Sequence, residues 1–122
     1  MISQLANYIF LEYFLDKVFT ALASTPRRKI LAYLSATSLT AGEISDRFEM
    51  SKPSLSKHLS ILENAGLISR EKKGQYVHYS LVPDNLTNTL NGFAQSICPV
   101  AGPLVKESRE KAKDILTDIN LT

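Results

Sequence analysis

Two helix starts within twelve residues constrain the fold of this chain more than any other feature. Thr40 and Glu43 have the Thr-x-x-Glu spacing of a capping box, in which each side chain bonds the other residue's backbone N–H. Ser51 and Pro53 mark the second start, because serine is a favoured N-cap and proline is tolerated in the first helical turn. The sequence therefore predicts a helix over about 40–47, a turn over 48–50 and a second helix from Ser51.

The second helix has one apolar face and a defined end. Leu55, Leu59 and Leu62 lie at i, i+4 and i+7, so they share a side that we expect to be buried. Gly66 is suited to the left-handed residue that ends a helix. A short helix, a three-residue turn and a longer capped helix predict a helix-turn-helix over 40–66.

The opposite face of the second helix is small, polar and cationic. Small side chains allow a helix to approach the floor of the DNA major groove, and hydroxyl and ammonium groups reach base edges or phosphates. A plain solvated face is the alternative, but such a face usually carries Glu-Lys pairs. His58 lies at the border of the apolar face, where a local hydrogen bond is an alternative to DNA contact. The predicted DNA contacts on this helix are Ser51, Lys52, Ser54, Ser56, Lys57, His58 and Ser60.

A β-hairpin is predicted directly after this helix, over 67–82. Its second strand alternates Tyr76, His78 and Ser80 with a second set, Val77, Tyr79 and Leu81, and this period of two is typical of a strand. A hairpin after a helix-turn-helix is the layout of a winged helix. Its basic tip, at Lys72, Lys73 and Gln75, is predicted to contact the DNA backbone or minor groove.

A further helix, predicted from Pro26 to about Leu34, begins with Arg27, Arg28 and Lys29. Cations at a helix N-terminus oppose the helix dipole, so helix stability alone does not explain them. Either they form a solvated face or they contact phosphates. The candidate phosphate contacts are Arg27, Arg28 and Thr40.

Apolar helices are predicted at both ends of the chain, over 1–15 and 84–122. The first helix either covers its own core or packs on a second subunit, and it lacks the Lys/Arg face of helices that bind membrane surfaces. A turn at 98–103 separates two C-terminal helices, the last over about 104–119, and is either a simple corner or a sensory element. The predicted dimer contacts are Leu5, Ile9, Phe10, Tyr13, Leu86, Leu90, Phe93, Ile97, Ile115 and Ile119.

The net charge of +2 conceals an uneven distribution. Residues 51–80 hold five Lys and Arg against two Glu, a local charge of +3, and residues 17–30 hold four cations and no acid. The rest of the chain sums to −5. A basic DNA-facing surface offset by acidic residues elsewhere fits this pattern.

Enzymatic chemistry has no recognisable site in the sequence. There is no Gly-rich phosphate loop, no Ser or Cys clearly paired with a His, and no carboxylate cluster, so we predict neither an enzyme nor a cofactor. The single cysteine, Cys98, cannot form an internal disulfide or a multi-thiolate metal site. We expect Cys98 to be a small buried or half-buried residue, with thiol modification as the alternative.

The sequence resembles the ArsR/SmtB (arsenic-repressor) group of bacterial transcriptional regulators over roughly residues 16–82. The resemblance rests on four strings: Arg-Arg-Lys-Ile-Leu at 27–31, Leu-Thr-Ala-Gly-Glu-Ile at 39–44, Ser-Lys-Pro-Ser-Leu-Ser-Lys-His-Leu-Ser-Ile-Leu at 51–62, and Ala-Gly-Leu-Ile at 65–68. It implies a homodimeric winged helix-turn-helix repressor that binds a palindromic operator and releases it when an effector binds. It also implies DNA reading by residues 51–60 and a wing tip at 72–75.

The chain departs from that group at its sensor positions. Metal-sensing members place a Cys-x-Cys pair on the helix before the recognition helix, where residues 40–45 here contain no thiol. Others place ligands including His on the C-terminal helix, but residues 84–122 contain no His. Thiol-switch members need two cysteines. The chain therefore looks closest to small autorepressors without a metal site.

The sequence as a whole predicts a mainly α fold with a small β-hairpin wing, a single winged-helix domain over 1–122 that dimerises through its terminal helices. The predicted function is that of a cytoplasmic, sequence-specific DNA-binding repressor. The predicted partners are double-stranded operator DNA and a second copy of the chain, with no membrane and an unknown effector. The alternatives are a winged helix that binds protein, and a repressor that senses an unknown ligand or modification of Cys98.

Overall fold

The computed structural model describes the backbone of residues 2–98 and 103–120, and the side chains of residues 5, 6, 9–98 and 107–116. The predicted turn at 98–103 and the side chain of Ile119 therefore lie largely or wholly outside the described residues. The elements in chain order are α1 (Ile2–Leu22), α2 (Thr25–Leu34), β1 (Leu39–Thr40), α3 (Ala41–Ser45), α4 (Lys52–Asn64), β2 (Ile68–Lys73), β3 (Tyr76–Leu81), α5 (Pro83–Ile97) and α6 (Pro103–Asn120).

The helix-turn-helix forms as its caps predict. The Thr40 side chain accepts from the Glu43 backbone N–H, and the Glu43 carboxylate accepts from the Thr40 N–H at 3.1 Å. The Ser51 hydroxyl accepts from the Ser54 N–H at 3.3 Å and starts α4. Gly66 has φ +74 just beyond the end of α4, the left-handed conformation expected for it. The helix α3 ends at Ser45, two residues earlier than predicted.

The wing is a three-stranded antiparallel sheet in the order β1-β3-β2, and the sequence predicted only two of these strands. Leu39 pairs with Tyr79 in the third strand, and Ile68 pairs with Leu81 in the hairpin. Gly74, with φ +64, turns the chain between β2 and β3. Tyr79 and Leu81 pack against the core as the alternation predicts, but Val77 near the tip is exposed.

The core lies where α1, α2, α3, α4 and the base of the wing meet. No polar or charged residue is buried among the described side chains. Tyr33 of α2 packs edge-on against Phe48 in the turn between α3 and α4, with ring centroids 5.8 Å apart. The buried hydrophobic residues are Val18, Ala21, Ile30, Leu31, Leu34, Leu39, Ile44, Leu55, Leu59, Leu62, Ala65, Leu67 and Ile68.

The chain forms two compact units, Met1–Leu86 and Thr87–Thr122. The first unit contains the helix-turn-helix and the wing. The second contains most of α5 together with α6, so the segment 84–122 that is predicted to dimerise divides between the two units. Among the described helices, none has the length and hydrophobicity that a membrane span requires.

Candidate nucleic-acid interface

The polar face of α4 is exposed, as the helix periodicity predicts. Lys52, Ser56, Lys57 and Ser60 are all exposed, opposite the buried leucines. Ser51 and Ser54 are exposed as well, but they also bond each other, hydroxyl to hydroxyl, at 3.0 Å within the N-cap. This face of α4 carries small side chains and two cations, which leaves room for close approach to a large ligand.

The wing tip presents a second group of exposed cations. Lys72 and Lys73 lie at the end of β2, opposite Val77 and Tyr76 in the register, and Gln75 follows Gly74 in the turn. Across the described part of the chain, the two ion pairs are Arg70–Glu63 and Lys111–Glu107. Neither neutralises the lysines of α4 or of the wing tip.

The wing is attached to the end of α4 by an ion pair and by the hairpin base. Arg70 Nε lies 3.0 Å from Glu63 Oε2, which joins β2 to the last turn of α4. The Val82 N–H donates to the Leu67 carbonyl at 2.9 Å and closes the hairpin. Both cationic groups are therefore held on one rigid scaffold.

Arg27 and Arg28 bond inside the protein, and this explains the cations that oppose the dipole of α2. Arg27 Nε and Nη2 donate to the carbonyls of Ala21 and Thr20 at 2.8 and 2.9 Å, and Arg28 Nη1 donates to the carbonyl of Leu22. These carbonyls belong to the last turn of α1, where the helix leaves acceptors without a partner and where positive charge is favoured. The arginines at the start of α2 therefore cap the end of α1.

His58 makes a hydrogen bond inside the protein, but its partner is 31 positions away in the sequence and not the near neighbour expected from the sequence. Arg27 Nη1 lies 3.2 Å from His58 Nδ1. Because a guanidinium group only donates, Nδ1 is the acceptor and the neutral ring carries its proton on Nε2. Partial burial, and then the positive charges of Arg27 and Lys57, lower the pKa of His58 below its ordinary value.

Thr40 starts α3 and holds Glu43 in its charged form. The hydrogen bonds from the Thr40 backbone and side chain are the main reason that the pKa of the Glu43 carboxyl is lowered. Thr40 also pairs with His78 in the sheet. The first turn of α3 is therefore fixed from two directions.

A cavity of about 560 Å³ opens between α3, α4 and β3. Lys52 and Ser56, both predicted DNA contacts, line it together with the buried side chains of Leu55 and Leu59 and with Tyr79. The cavity therefore belongs to the same surface as the polar face of α4.

The residues predicted to form a dimer interface are largely exposed in the single chain. In α1 the exposed fraction runs from 56% for Tyr13 to 62% for Leu5, with Ile9 and Phe10 between them. Phe93, Ile97 and Ile115 are exposed too, whereas Leu86 and Leu90 are half-buried. Among the described side chains of α1, the buried ones, Val18 and Ala21, lie in the C-terminal half, and Leu5, Ile9, Phe10 and Tyr13 do not cover the core of the single chain.

Cys98 is exposed at the end of α5, so the expectation of a buried or half-buried thiol is wrong for this chain. Periodicity placed the residue near a helix end but carried no information on what packs there. Within the described residues, no three His, Cys, Asp or Glu side chains are grouped so that they could hold a metal ion.

Known proteins share both the sequence and the fold of this region. The sequence profile described as "Bacterial regulatory protein, arsR family" matches residues 25–70. The transcriptional repressor SdpR of Bacillus subtilis (strain 168) is 44% identical over 77 residues, which are 63% of this chain and 86% of SdpR. The chain belongs to the arsR family of bacterial regulatory proteins.

Two further proteins extend the comparison. The transcriptional activator HlyU of Vibrio cholerae is 41% identical over 61 residues, which are 50% of this chain and 56% of HlyU. A solved structure of HlyU matches with a TM-score of 0.57 at 30% identity and covers 71% of this chain and 95% of that one. The winged helix-turn-helix domain of Mb0332 from Mycobacterium bovis is described as homodimeric and matches in fold with a TM-score of 0.62 at 22% identity. The match covers 73% of this chain and 85% of the Mb0332 domain.

The family and the geometry agree on the class of protein. The chain is a winged helix-turn-helix transcriptional regulator with a DNA-binding domain, in which α3 and α4 form the helix-turn-helix and the β2–β3 hairpin is the wing. The names of these arsR-family relatives describe regulators of transcription, and they give no support to the alternative of a protein-binding winged helix.

Proposed function

We propose that the protein is a homodimeric repressor that binds a palindromic operator, with one α4 in the major groove of each half-site. The observation that carries this proposal is the exposed polar face of α4, where Lys52 and Lys57 lie among small side chains and form no ion pair with any described residue. A helix of this kind can lie close to base edges, while the lysines displace counterions from phosphates. The proposed cellular location is the cytoplasm, where bacterial operator DNA lies.

Each predicted contact has a proposed role that follows from its position. Lys57, Ser56 and Ser60 on the outer face of α4 are proposed to reach base edges, and Ser51, Lys52 and Ser54 in the first turn to contact the backbone. The cations of the wing tip, Lys72 and Lys73, are proposed to bind phosphates or the minor groove with Gln75. Thr40, at the start of α3, is proposed to lie at the phosphate backbone.

Dimerisation is proposed to bury the exposed apolar residues of α1 together with those of the C-terminal helices. Leu5, Ile9, Phe10 and Tyr13 recur at spacings of three and four residues, so they form one broad, exposed apolar stripe on α1, and such a stripe normally packs against another surface. A two-fold dimer also matches the symmetry of a palindromic operator. The description of Mb0332 as homodimeric supports this assembly.

Repression rather than activation is proposed on the name of SdpR, since HlyU is named as an activator. A reporter gene placed behind the bound DNA decides the direction. We expect expression to rise when the regulator is deleted, and a fall would show activation instead.

The test of DNA binding is a gel-shift titration with the DNA upstream of the protein's own gene, repeated between about 50 and 200 mM salt. We expect affinity to fall steeply with salt. The double variant Lys57→Ala with Lys72→Ala should bind more weakly. The slope of log affinity against log salt concentration should become less steep by about two, one for each lysine that no longer neutralises a phosphate.

The matched control is Lys111→Ala, which removes an exposed lysine from α6, where Lys111 is paired with Glu107. We expect this variant to keep the affinity and slope of the original protein. Salt-independent binding, or full affinity in the double variant, would contradict the proposal.

A further inference from the structure

Arg27 joins the helix proposed to dimerise to the helix proposed to read DNA. Its guanidinium group uses three different nitrogens for three acceptors: the carbonyls of Thr20 and Ala21 on α1, and His58 Nδ1 on α4. The Arg27 and His58 positions are 31 residues apart in the sequence. One side chain therefore connects the end of α1 with the middle of α4.

The apolar contacts between these helices do not define their relative position as sharply as hydrogen bonds do. Val18 and Ala21 of α1 and Leu55 and Leu59 of α4 belong to one buried cluster, and the hydrophobic attraction that holds such a cluster together is non-directional. A planar guanidinium group offers its donors in fixed directions, so it fixes distance and rotation together. The link from Arg27 to His58 therefore sets where α4 lies relative to α1.

We propose that Arg27 is a positioning residue that fixes the recognition helix to the dimerisation helix and thereby sets the half-site spacing that the dimer accepts. This inference rests on the proposed function. If α1 forms the interface, the distance between the two copies of α4 depends on how each α4 is held on its own α1. In a two-fold dimer that distance selects the spacing of the two half-sites. Arg27 thus acts through α4 and is not itself a phosphate contact.

The substitution Arg27→Lys separates these two roles. Lysine keeps the positive charge that a phosphate contact requires, but its three donors radiate from one atom and cannot reproduce the planar fork with which Arg27 reaches acceptors on two helices. A phosphate-contact role predicts that Arg27→Lys keeps its specificity and that Arg27→Gln lowers the salt slope by about one. The positioning role predicts that both variants lose discrimination between spacings and that neither changes the slope.

The DNA probes are the duplex that the original protein selects from a random-sequence library, and the same duplex with one base pair added between the half-sites. We expect the ratio of affinities for the two probes to fall roughly tenfold in Arg27→Lys, which is the typical effect of one charge-assisted hydrogen bond. Lys29→Gln, which removes an exposed charge two positions away on α2, is the control and should keep the full discrimination. Unchanged discrimination in Arg27→Lys would overturn the proposal.

A measurement without DNA tests the link even if no duplex is selected. The chain has only two histidines, so NMR can resolve the ring signals of His58 and follow its titration. The charged groups that act on the ring of His58 are Arg27 from α2 and Lys57 from α4 itself, and both lower its pKa. We expect the pKa of His58 to rise in Arg27→Gln, and an identical titration in both proteins would overturn the link.

The two measurements distinguish the failure of this inference from the failure of the proposed function. If the unsubstituted protein selects no duplex, the proposed function is contradicted. The titration then still decides whether Arg27 bonds His58. A protein that selects a palindrome, but whose Arg27→Lys variant keeps the spacing preference, contradicts only the positioning role.

Discussion

At the scale of single residues, the role of a cation depends on which acceptors its donors reach. Arg27 and Arg28 use their guanidinium groups on the carbonyls of α1, whereas Lys52 and Lys57 extend from α4 without an ion-pair partner among the described residues. These four residues add equally to the net charge. The structure nevertheless assigns the first two to internal capping and leaves the other two available to a ligand.

Stability should depend on pH through His58. Because its pKa is lower in the folded protein than in the unfolded chain, the unfolded chain binds more protons between the two values. The contribution of neutral His58 is thus complete above the ordinary pKa of about 6.5 and is lost as the pH falls through the folded pKa. We expect the free energy of unfolding, measured by urea denaturation, to decline as the pH falls from about 7.5 to about 5, the range in which histidine titrates.

The control for this prediction removes the titrating ring. His58→Asn places an uncharged amide near the acceptor position of Nδ1 and should flatten the decline. If the free energy of unfolding declines by the same amount in His58→Asn, the decline comes from groups other than His58.

At the scale of elements, the helix-turn-helix and the wing are defined by their caps and turns. The capping box starts α3, Ser51 starts α4, and two glycines with positive φ end α4 and turn the wing. These interactions are short-range, and each sets the direction in which the next element leaves. The position of the wing relative to α4 therefore depends on the turn at Gly66.

Gly66→Ala and Gly74→Ala should differ in cost although both residues have positive φ. A Cβ at Gly66 would lie 3.2 Å from Nδ2 of Asn85, which donates to the Gly66 carbonyl at 2.8 Å, whereas a Cβ at Gly74 meets nothing within 4 Å. Either alanine introduces left-handed strain of about 1–2 kcal/mol. We expect thermal or urea unfolding to show a larger loss of stability for Gly66→Ala, and equal losses would show that Asn85 moves aside freely.

At the scale of the whole molecule, the distribution of exposed apolar residues points to assembly. The core lies in the unit Met1–Leu86, and the first turns of α1 add large apolar side chains that this core does not cover. Single exposed apolar residues are ordinary, but a contiguous set is typical of an interaction surface. A second copy of the chain is the partner that the proposed symmetric operator requires.

Removal of residues 1–14 should yield a monomer in sedimentation velocity, because it deletes Leu5, Ile9, Phe10 and Tyr13. The point variant Ile9→Glu should weaken the dimer in the same direction by placing a charge in the interface, whereas Glu12→Gln should not. A truncated chain that still sediments as a dimer would show that the C-terminal helices, and not α1, form the main interface.

The sequence by itself determined the elements whose signals are local. The capping box, the N-cap at Ser51, the left-handed Gly66 and the three leucines of α4 act over three to seven positions, so the helix-turn-helix and the hairpin could be predicted. The exposed face of α4 followed from the same periodicity. Residue types on that face were enough to predict the class of ligand.

Only the tertiary structure decided the features that depend on distant partners. Leu39 and Thr40 become a strand because the edge of β3 lies beside them, and a two-residue segment carries no strand pattern of its own. Arg27 finds an acceptor on His58, 31 positions away, and no local rule indicates that pairing. The exposure of Cys98 and of the first turns of α1 likewise depends on what packs nearby, because burial is a property of the assembled core and not of the sequence pattern.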